Sequence, residues 1–344
     1  MLPTTIIATV FVFGLLILFH ELGHFMAAKS VNMRVTEFAI GFGPKIFSFK
    51  HGETVYSLRA IPLGGFNKIQ GMDPDEEQDE RSFNAKPVWA RMLVIVAGST
   101  MNFVLPILLF LIIYLSAGIE TPSTQPVLGN IFADKPAHRA GLVAGDKVLS
   151  INGDTIESWK KFVSVVQANA GNTLAIKIER AGLEHTISVI PEYDQRTNRG
   201  IIGVSPEIII HKPGITEATG LAVNHTYLIA GNMLSGIGQM ITGKVAADVS
   251  GPIGVAQMAG QVAQLGIFPL LQFAAFLSIN LGLINLLPVP VLDGGHIVTL
   301  AVEAVRRKPL GKQSMYVMQM IGFVLLMMLM VLATFKDINR LKLF

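Results

Sequence analysis

The 344-residue chain contains no cysteine. Disulfides and thiolate ligands are therefore excluded, and any bound metal must rely on histidine and carboxylate. Charge is scarce as well: Asp, Glu, Lys and Arg together make up 15%, with a net charge of +3. The bases are not clustered with aromatic residues, which leaves nucleic-acid binding without support. Apolar residues are abundant, at 51%, and the mean hydropathy is +0.52. Such a chain is too apolar for an ordinary soluble domain and too interrupted for a simple channel bundle.

Four apolar runs are long enough to cross a bilayer: about Ile6 to Ala28, Met92 to Ala117, Phe268 to Leu287 and Tyr316 to Thr334. The first would be about 34 Å long at a helical rise of about 1.5 Å per residue. A secretory leader does not explain it, because Met1 to Thr5 carries no basic side chain. A cleaved leader would also have no use for a charged motif. Yet directly after Phe19, inside an apolar helix, stands His20-Glu21-Leu22-Gly23-His24. On a helix, positions i and i+4 share a face, so both imidazoles can grip one metal ion. Glu21 can reach a water held in that metal's open position. A chance copy of the motif would normally sit on a solvated face. Three ionisable residues within a span are costly and mark a functional site.

The bases set an orientation. Lys29, Arg34, Lys45, Lys50, Arg59, Lys68, Arg81 and Lys86 fall between spans one and two, and Arg306, Arg307, Lys308 and Lys312 between spans three and four. Both connections are expected in the cytoplasm, and both termini outside it. Lys336, Arg340 and Lys342 in the tail mildly oppose this. The metal would lie beyond the midplane, about 21 Å into span one, toward the cytoplasmic side.

Val35 to Phe66 is too apolar for a plain loop and too broken for a helix. Ile46 to Lys50 and Thr54 to Leu58 alternate around a His51-Gly52-Glu53 turn, and glycines recur at Gly41, Gly43, Gly64 and Gly65. This predicts a β-structured loop against the membrane, its backbone paired or covered. Asp73 to Glu80 reads as a solvated acidic loop.

Between spans two and three, strand patterns fall at Val127–Ile131, Val148–Ile151, Leu174–Ile178, Thr186–Ile190 and Ile201–Val204. Turns are expected at Asn152-Gly153 and Ala181-Gly182, and a helix over Ile156 to Ala168. The run from Ala140 to Gly153 closely resembles the core signature of PDZ domains. Such domains take an extended peptide as an added strand. In the circularly permuted, protease-associated type, that resemblance places the groove at Gly200 to Val204. A peptide ligand and an empty groove acting as a size filter both remain open. Ile215 to Val245 is amphipathic and is expected on the outer membrane surface, with a break at Gly251-Pro252-Ile253-Gly254.

A catalytic zinc needs a third ligand besides two histidines, plus an open position. Span three ends in Asn285-Leu286-Leu287-Pro288-Val289-Pro290-Val291-Leu292-Asp293-Gly294-Gly295-His296, where the prolines cannot continue a helix. Asp293 is the only carboxylate between Asp248 and Glu303. Buried free it would be expensive, and a metal offsets that cost. His296, three residues on, is expected to be structural or to orient a ligand, because a fourth ligand would close the site.

The H-E-x-x-H stretch together with Asn285-x-x-Pro288-x-Pro290-x-Leu292-Asp293-Gly294 is similar to the paired signature of the site-2 protease family. Gly41-Phe42-Gly43, Pro62 to Phe66, one inserted PDZ domain and Gly251 to Gly254 resemble its bacterial RseP type, over nearly the whole chain. The resemblance implies Zn2+ held by His20, His24 and Asp293, with Glu21 as general base. It implies regulated intramembrane cleavage of single-span substrates, either anti-sigma factors or signal-peptide remnants. Family members clamp substrate as an extended strand on the β-structured loop, which implicates Gly43, Gly64 and Gly65. Asn280 and Asn285 match polar positions implicated in accommodating substrate. Two departures stand out. A single PDZ domain fits where some members have two, and Ser99 stands where relatives usually carry proline. The second is expected to affect a span-two kink and not the metal site.

The expected architecture is a polytopic α-helical protein of the cell's inner (plasma) membrane. It has about four spans, a membrane-associated β-structured loop and one extracytoplasmic, β-rich PDZ domain. The divisions are 1–124 (spans one and two, with the loop at about 35–66), 125–207 (PDZ), 208–260 (amphipathic segment) and 261–344 (spans three and four). Two other functions compete. A membrane-bound PDZ adaptor with a silent zinc site would not need Glu21. A metal transporter would need polar residues along several spans, whereas spans two and four offer Asn102 and Gln319.

Overall fold

The computed structural model describes residues 2–72, 76, 78–195, 197–245, 251–308 and 311–340. Residues 73–75 and 77 of the acidic stretch, Asp248 and Lys342 lie outside that set. The chain forms two compact units, Met1–Ala117 with Gly214–Phe344, and Gly118–Pro213.

Helix α1 covers Leu2–Ser30. It ends where Asn32 turns to φ +55° and the Met33 N–H bonds back to the Ala28 carbonyl at 2.8 Å, a left-handed stop that redirects the chain. Strands β1 (Val35–His51) and β2 (Thr54–Ile69) come next as a hairpin, with Gly52 at φ +59° in its turn. Their pairing is irregular. Residues 37–40 of β1 lie between 65–68 and 55–58 of β2, and 55–58 pair again with 47–50. Two long strands thus double back into a sheet four segments wide. The bends need positive φ, supplied by Gly41 (+90°), Gly43 (+83°) and Gly64 (+115°). Glu53 pins the hairpin turn. It accepts from Lys29 Nζ at the end of α1 at 2.6 Å and from both Arg81 Nη atoms at 2.7 Å. Helix α2 covers Val88–Ala117.

The second unit contains β3 (Ile119–Pro122), β4 (Leu128–Ile131), a short helical turn α3 (Pro136–Arg139), β5 (Lys147–Ile151), β6 (Asp154–Thr155) and α4 (Trp159–Ala168). Strands β7 (Leu174–Arg180), β8 (Leu183–Val189), β9 (Glu192–Asp194), β10 (Arg199–Ile201), β11 (Val204–Pro206) and β12 (Ile208–His211) complete it. Its core gathers Leu128, Val148, Ile151, Phe162, Leu174, Ile176 and Ile178, all essentially inaccessible. Both expected turns are tight two-residue links with positive φ at each position, Asn152 (+52°)-Gly153 (+92°) and Ala181 (+51°)-Gly182 (+80°). Such turns match the twist of the strands they join. The unit is wider than 125–207 because β3 pairs with β12, tying its entry to its exit. One expected strand is corrected. Ile201–Val204 is not continuous, because Gly203 at φ +78° divides it between β10, paired with β9, and β11, paired with β4. A groove of about 420 Å³ runs between this stretch and Trp159, Phe162, Val163 and Val166 of α4.

The first unit resumes with α5 (Ile215–Ile241), α6 (Pro252–Gln264), α7 (Ile267–Asn285), α8 (Asp293–Arg306) and α9 (Lys312–Arg340). Four helices are long and apolar enough to cross a membrane: Leu2–Ser30, Val88–Ala117, Ile267–Asn285 and Gln313–Asn339. They coincide with the four expected runs. Helix α5 is not among them, yet it is no free surface helix. Ala222 shares a core with Leu105, Leu109 and Phe110 of α2 and Ala274 of α7. His225 stacks on Phe110 at 4.4 Å and bonds Tyr114 Oη at 2.5 Å. Small side chains at 218 and 222 permit that approach.

Helix α7 stops at Asn285 because residues before proline disfavour helical backbone, and Pro288 and Pro290 come after it. Val291 sits at φ +87°, a conformation costing about 1–3 kcal/mol for a β-branched residue. Helix α8 starts at once, and glycine is required there. A β-carbon at Gly294 would land on the Leu287 carbonyl, and one at Gly295 would fall 2.5 Å from that of Val289. Arg91 of α2 grips Glu303 of α8 through two hydrogen bonds of 3.0 and 2.5 Å, with only 7% of the arginine exposed. Removing one partner of such a buried pair costs about 3–5 kcal/mol.

The Arg81 and Lys29 hydrogen bonds pull the Glu53 pKa from 4.5 down to about 2. A depressed carboxylate contributes stability that is full above about pH 4.5 and is lost as pH falls toward about 2. Glu53→Gln should therefore expose the Arg81 peptide bond to trypsin several-fold faster at pH 7, while the melting temperature changes little. Unchanged cleavage would show that Glu53 does not anchor the hairpin.

Candidate active site

One helical turn of α1 brings His20 and His24 to the same face, and the first residue of α8 brings Asp293 to meet them. His20 Nε2 and His24 Nε2 lie 3.3 Å apart. Asp293 Oδ2 is 3.6 Å from the first, and Oδ1 is 3.5 Å from the second. Among the described residues these form the one His/Asp/Glu group whose ligand atoms converge, all within 4.8 Å. Ligands about 2.0–2.1 Å from a tetrahedral ion are separated by about 3.4 Å, so the spacing fits zinc.

The surroundings fit as well. His24 Nδ1 faces the Val94 carbonyl at 2.8 Å. A carbonyl only accepts, so Nδ1 carries the hydrogen and Nε2 keeps its lone pair toward the cluster. Asp293 stands in the first turn of α8, where the helix dipole favours a carboxylate. Ser99 Oγ donates to Asp293 Oδ2 at 2.9 Å. This corrects the expectation that Ser99 leaves the metal site untouched: the hydroxyl that replaces the proline ring reaches the carboxylate.

Glu21 is 8% exposed, on the helical turn that carries both histidines. Asn67 of β2 donates through Nδ2 to Glu21 Oε2 and to the Glu21 backbone carbonyl, each at 2.8 Å. The sheet comes this close because residue 65 has no side chain. A β-carbon at Gly65 would fall 2.8 Å from Glu21 Cγ and 2.9 Å from Ile17 Cγ2. The two helices meet by the same device. A β-carbon at Gly98 would fall on His24 Nε2, and one at Gly23 on the Ala97 carbonyl.

His20, His24, Asp293, Glu21 and Gly65 therefore come together. Gly64 packs instead against the Phe42 ring, and Gly43 is exposed, its carbonyl accepting from Arg59 Nη1 at 2.8 Å. Asn280 and Asn285 are half-buried on α7 and join none of the cluster's hydrogen bonds among the described residues. His296 lies one turn into α8, outside the converging group. Sequence reasoning missed Asn67, the Val94 carbonyl and the contact of Ser99. It singles out Asn102 only as a polar residue of span two, yet its Nδ2 lies 3.0 Å from His20 Nδ1.

A histidine pair with an adjacent glutamate, met by an aspartate inside a bundle of apolar helices, has the make-up of a membrane metalloprotease site. The profile of peptidase family M50 matches residues 8–329, and the chain belongs to that family. It is similar to the zinc metalloprotease RasP of Geobacillus kaustophilus, with 36% identity over 98% of each chain. It is also similar to the regulator of sigma-W protease RasP of Bacillus subtilis, with 34% identity over 99% of this chain and 100% of that one. Among solved structures it is similar to the PDZ domain of an SdrC-like protein from Listeria monocytogenes, with 20% identity, a TM-score of 0.22, and coverage of 26% of this chain and 93% of that one. The PDZ-like character of Gly118–Pro213 rests on its own strands, turns and groove. The protein is an intramembrane zinc metalloendopeptidase.

Gly65→Ala should push the sheet off Glu21 and lower turnover about a hundredfold, the scale of a misplacement of about 1 Å. Its zinc content should match that of the unsubstituted protein. Full turnover would mean that the sheet does not set the position of Glu21.

Proposed function

We propose that His20, His24 and Asp293 hold the zinc and that Glu21 is the general base of peptide hydrolysis. The observation that carries this is the convergence of three ligand atoms at tetrahedral spacing beside a buried carboxylate that Asn67 holds in place. When bound, the ion supplies a Lewis acid that polarises the scissile carbonyl and makes water nucleophilic near neutral pH. Glu21 takes a proton from the attacking water as its oxygen bonds the carbonyl carbon. It passes that proton to the amide nitrogen as the C–N bond breaks.

The substrates we propose are single-span membrane segments, either anti-sigma factors or signal-peptide remnants. The name of the Bacillus subtilis relative supports the first. A transmembrane helix hides its carbonyls in its own hydrogen bonds, so cleavage needs local unwinding. Residues 65–68 of β2 pair with 37–40 and lie beside Glu21, and an unwound substrate can add there as a strand. Gly43 and Gly64 shape that sheet, and Asn280 and Asn285 offer polar groups to the exposed substrate backbone. The groove beside α4 is lined mainly by apolar side chains, and a peptide ligand is its proposed occupant.

We place the Gly118–Pro213 unit outside the cytoplasm and the metal toward the cytoplasmic side of an inner membrane. The base-rich connections between spans one and two and between spans three and four support this.

Glu21→Gln keeps size and loses the base. Its zinc content should be unchanged and its cleavage of a single-span substrate should fall on the order of a hundredfold to ten-thousandfold. Turnover near that of the unsubstituted enzyme would sink the assignment.

Orientation can be read with single cysteines, since the chain has none. With any outer barrier opened, a membrane-impermeant thiol reagent should label Lys160→Cys and spare Glu80→Cys. The reverse pattern would invert the topology.

A further inference from the structure

Two buried amide oxygens beside the site have no hydrogen-bond partner, Asn67 Oδ1 and Asn102 Oδ1. They are not equivalent. Asn67 presents Nδ2 to two oxygens, both on Glu21, so turning its amide over would set oxygen against oxygen. Nothing fixes Asn102 in that way. Among the described residues its one side-chain hydrogen bond is with His20 Nδ1 at 3.0 Å, and a ring nitrogen donates or accepts according to tautomer. Amide oxygen and nitrogen exchange at almost no steric cost.

The two orientations have opposite consequences for the ring. With Nδ2 toward it, Nδ1 accepts, the hydrogen sits on Nε2, and His20 has no lone pair for a metal. With Oδ1 toward it, Nδ1 donates, the orphaned oxygen gains its partner, and Nε2 keeps a lone pair facing Asp293 and His24. The exchange puts the N–H group in the position that has no partner among the described residues, so the number of hydrogen bonds is unchanged and the tautomer His20 needs for a metal decides between the two.

The layout of α2 favours the second orientation. Residues 94, 98 and 102 lie one turn apart on one face. Val94 offers its carbonyl to His24 Nδ1, Gly98 leaves room for the His24 ring, and Asn102 meets His20 Nδ1. Asn102 is itself fully buried, and its backbone carbonyl accepts from Ser278 Oγ of α7 at 2.9 Å. One stripe of one helix thus faces both histidines, with a carbonyl at His24 and an amide at His20.

We propose that Asn102 is a positioning residue whose amide oxygen accepts from His20 Nδ1–H and aims Nε2 at the metal. This rests on the reading of His20 as a ligand.

Zinc affinity of the purified full-length protein, measured by chelator competition, tests it in His20→Ala, Asn102→Leu and Asn102→Asp variants. Asn102→Leu should bind zinc about tenfold more weakly or worse, the usual scale for loss of a ligand's hydrogen-bond partner. Asn102→Asp accepts but does not donate, and should stay within about threefold of the unsubstituted protein on the same grounds. Its cobalt-loaded form should keep the visible absorption bands of the unsubstituted protein. Equal losses in the two Asn102 variants would overturn the proposal in favour of packing, and full affinity in Asn102→Leu would overturn it outright. If Asn102→Leu does not fold, Asn102→Asp decides alone: retained zinc supports the acceptor role, and a tenfold loss ends it. Unchanged affinity in His20→Ala would instead overturn the ligand reading on which the proposal stands.

Discussion

A β-carbon at Gly98 would occupy the place of the His24 ring, and one at Gly23 would strike the Ala97 carbonyl. Helices α1 and α2 touch backbone to backbone at this level. That contact lets a carbonyl of α2 reach an imidazole of α1, and on the same stretch of α2 Ser99 reaches Asp293 of α8. In hydrocarbon there is little hydrophobic gain from joining two helices, so close packing of small residues and interhelical hydrogen bonds must hold them. Here the same contact holds the helices together and equips the site.

The site is costly, because two imidazoles and two carboxylates stand among apolar side chains. Each has at least one polar partner: Val94 for His24, Asn102 for His20, Asn67 for Glu21 and Ser99 for Asp293. Buried polar groups are tolerated when satisfied, and a bound cation between three ligand atoms removes the largest remaining cost. Asp293 must also be held in place along α8. The Arg91–Glu303 pair fixes the far end of that helix to α2, while Gly294 and Gly295 seat its near end against the loop carbonyls.

The four long helices were legible because an apolar run of sufficient length has few alternatives in a membrane protein. The hairpin turns at Asn152 and Ala181 were legible because positive φ selects a narrow set of residues. The His20–Glu21–His24 spacing was legible because helix geometry fixes it. Other features had no local signature. Ser99 and Asp293 are 194 positions apart, and nothing near either one announces the other. The double pairing of residues 55–58, and the break that Gly203 puts into 201–204, depend on the path of neighbouring segments rather than on alternation. Asn102 carries a usable signal, since a polar side chain in a span is seldom idle. A transport path is one use of such a residue, and orienting a ligand on the next helix is another.

In the mechanism we propose, the sheet beside Glu21 resolves a tension in intramembrane proteolysis. Helices are the stable form of a substrate in lipid, because every backbone group is satisfied within the segment. Unwinding a few residues exposes those groups at several kcal/mol each. An enzyme made of helices alone would have nothing regular to offer them. A strand edge offers alternating N–H and C=O groups at the right pitch, and residues 65–68 of β2 carry such an edge beside Glu21. Gly65 is the hinge of this arrangement. Any larger residue there would push the strand away from Glu21.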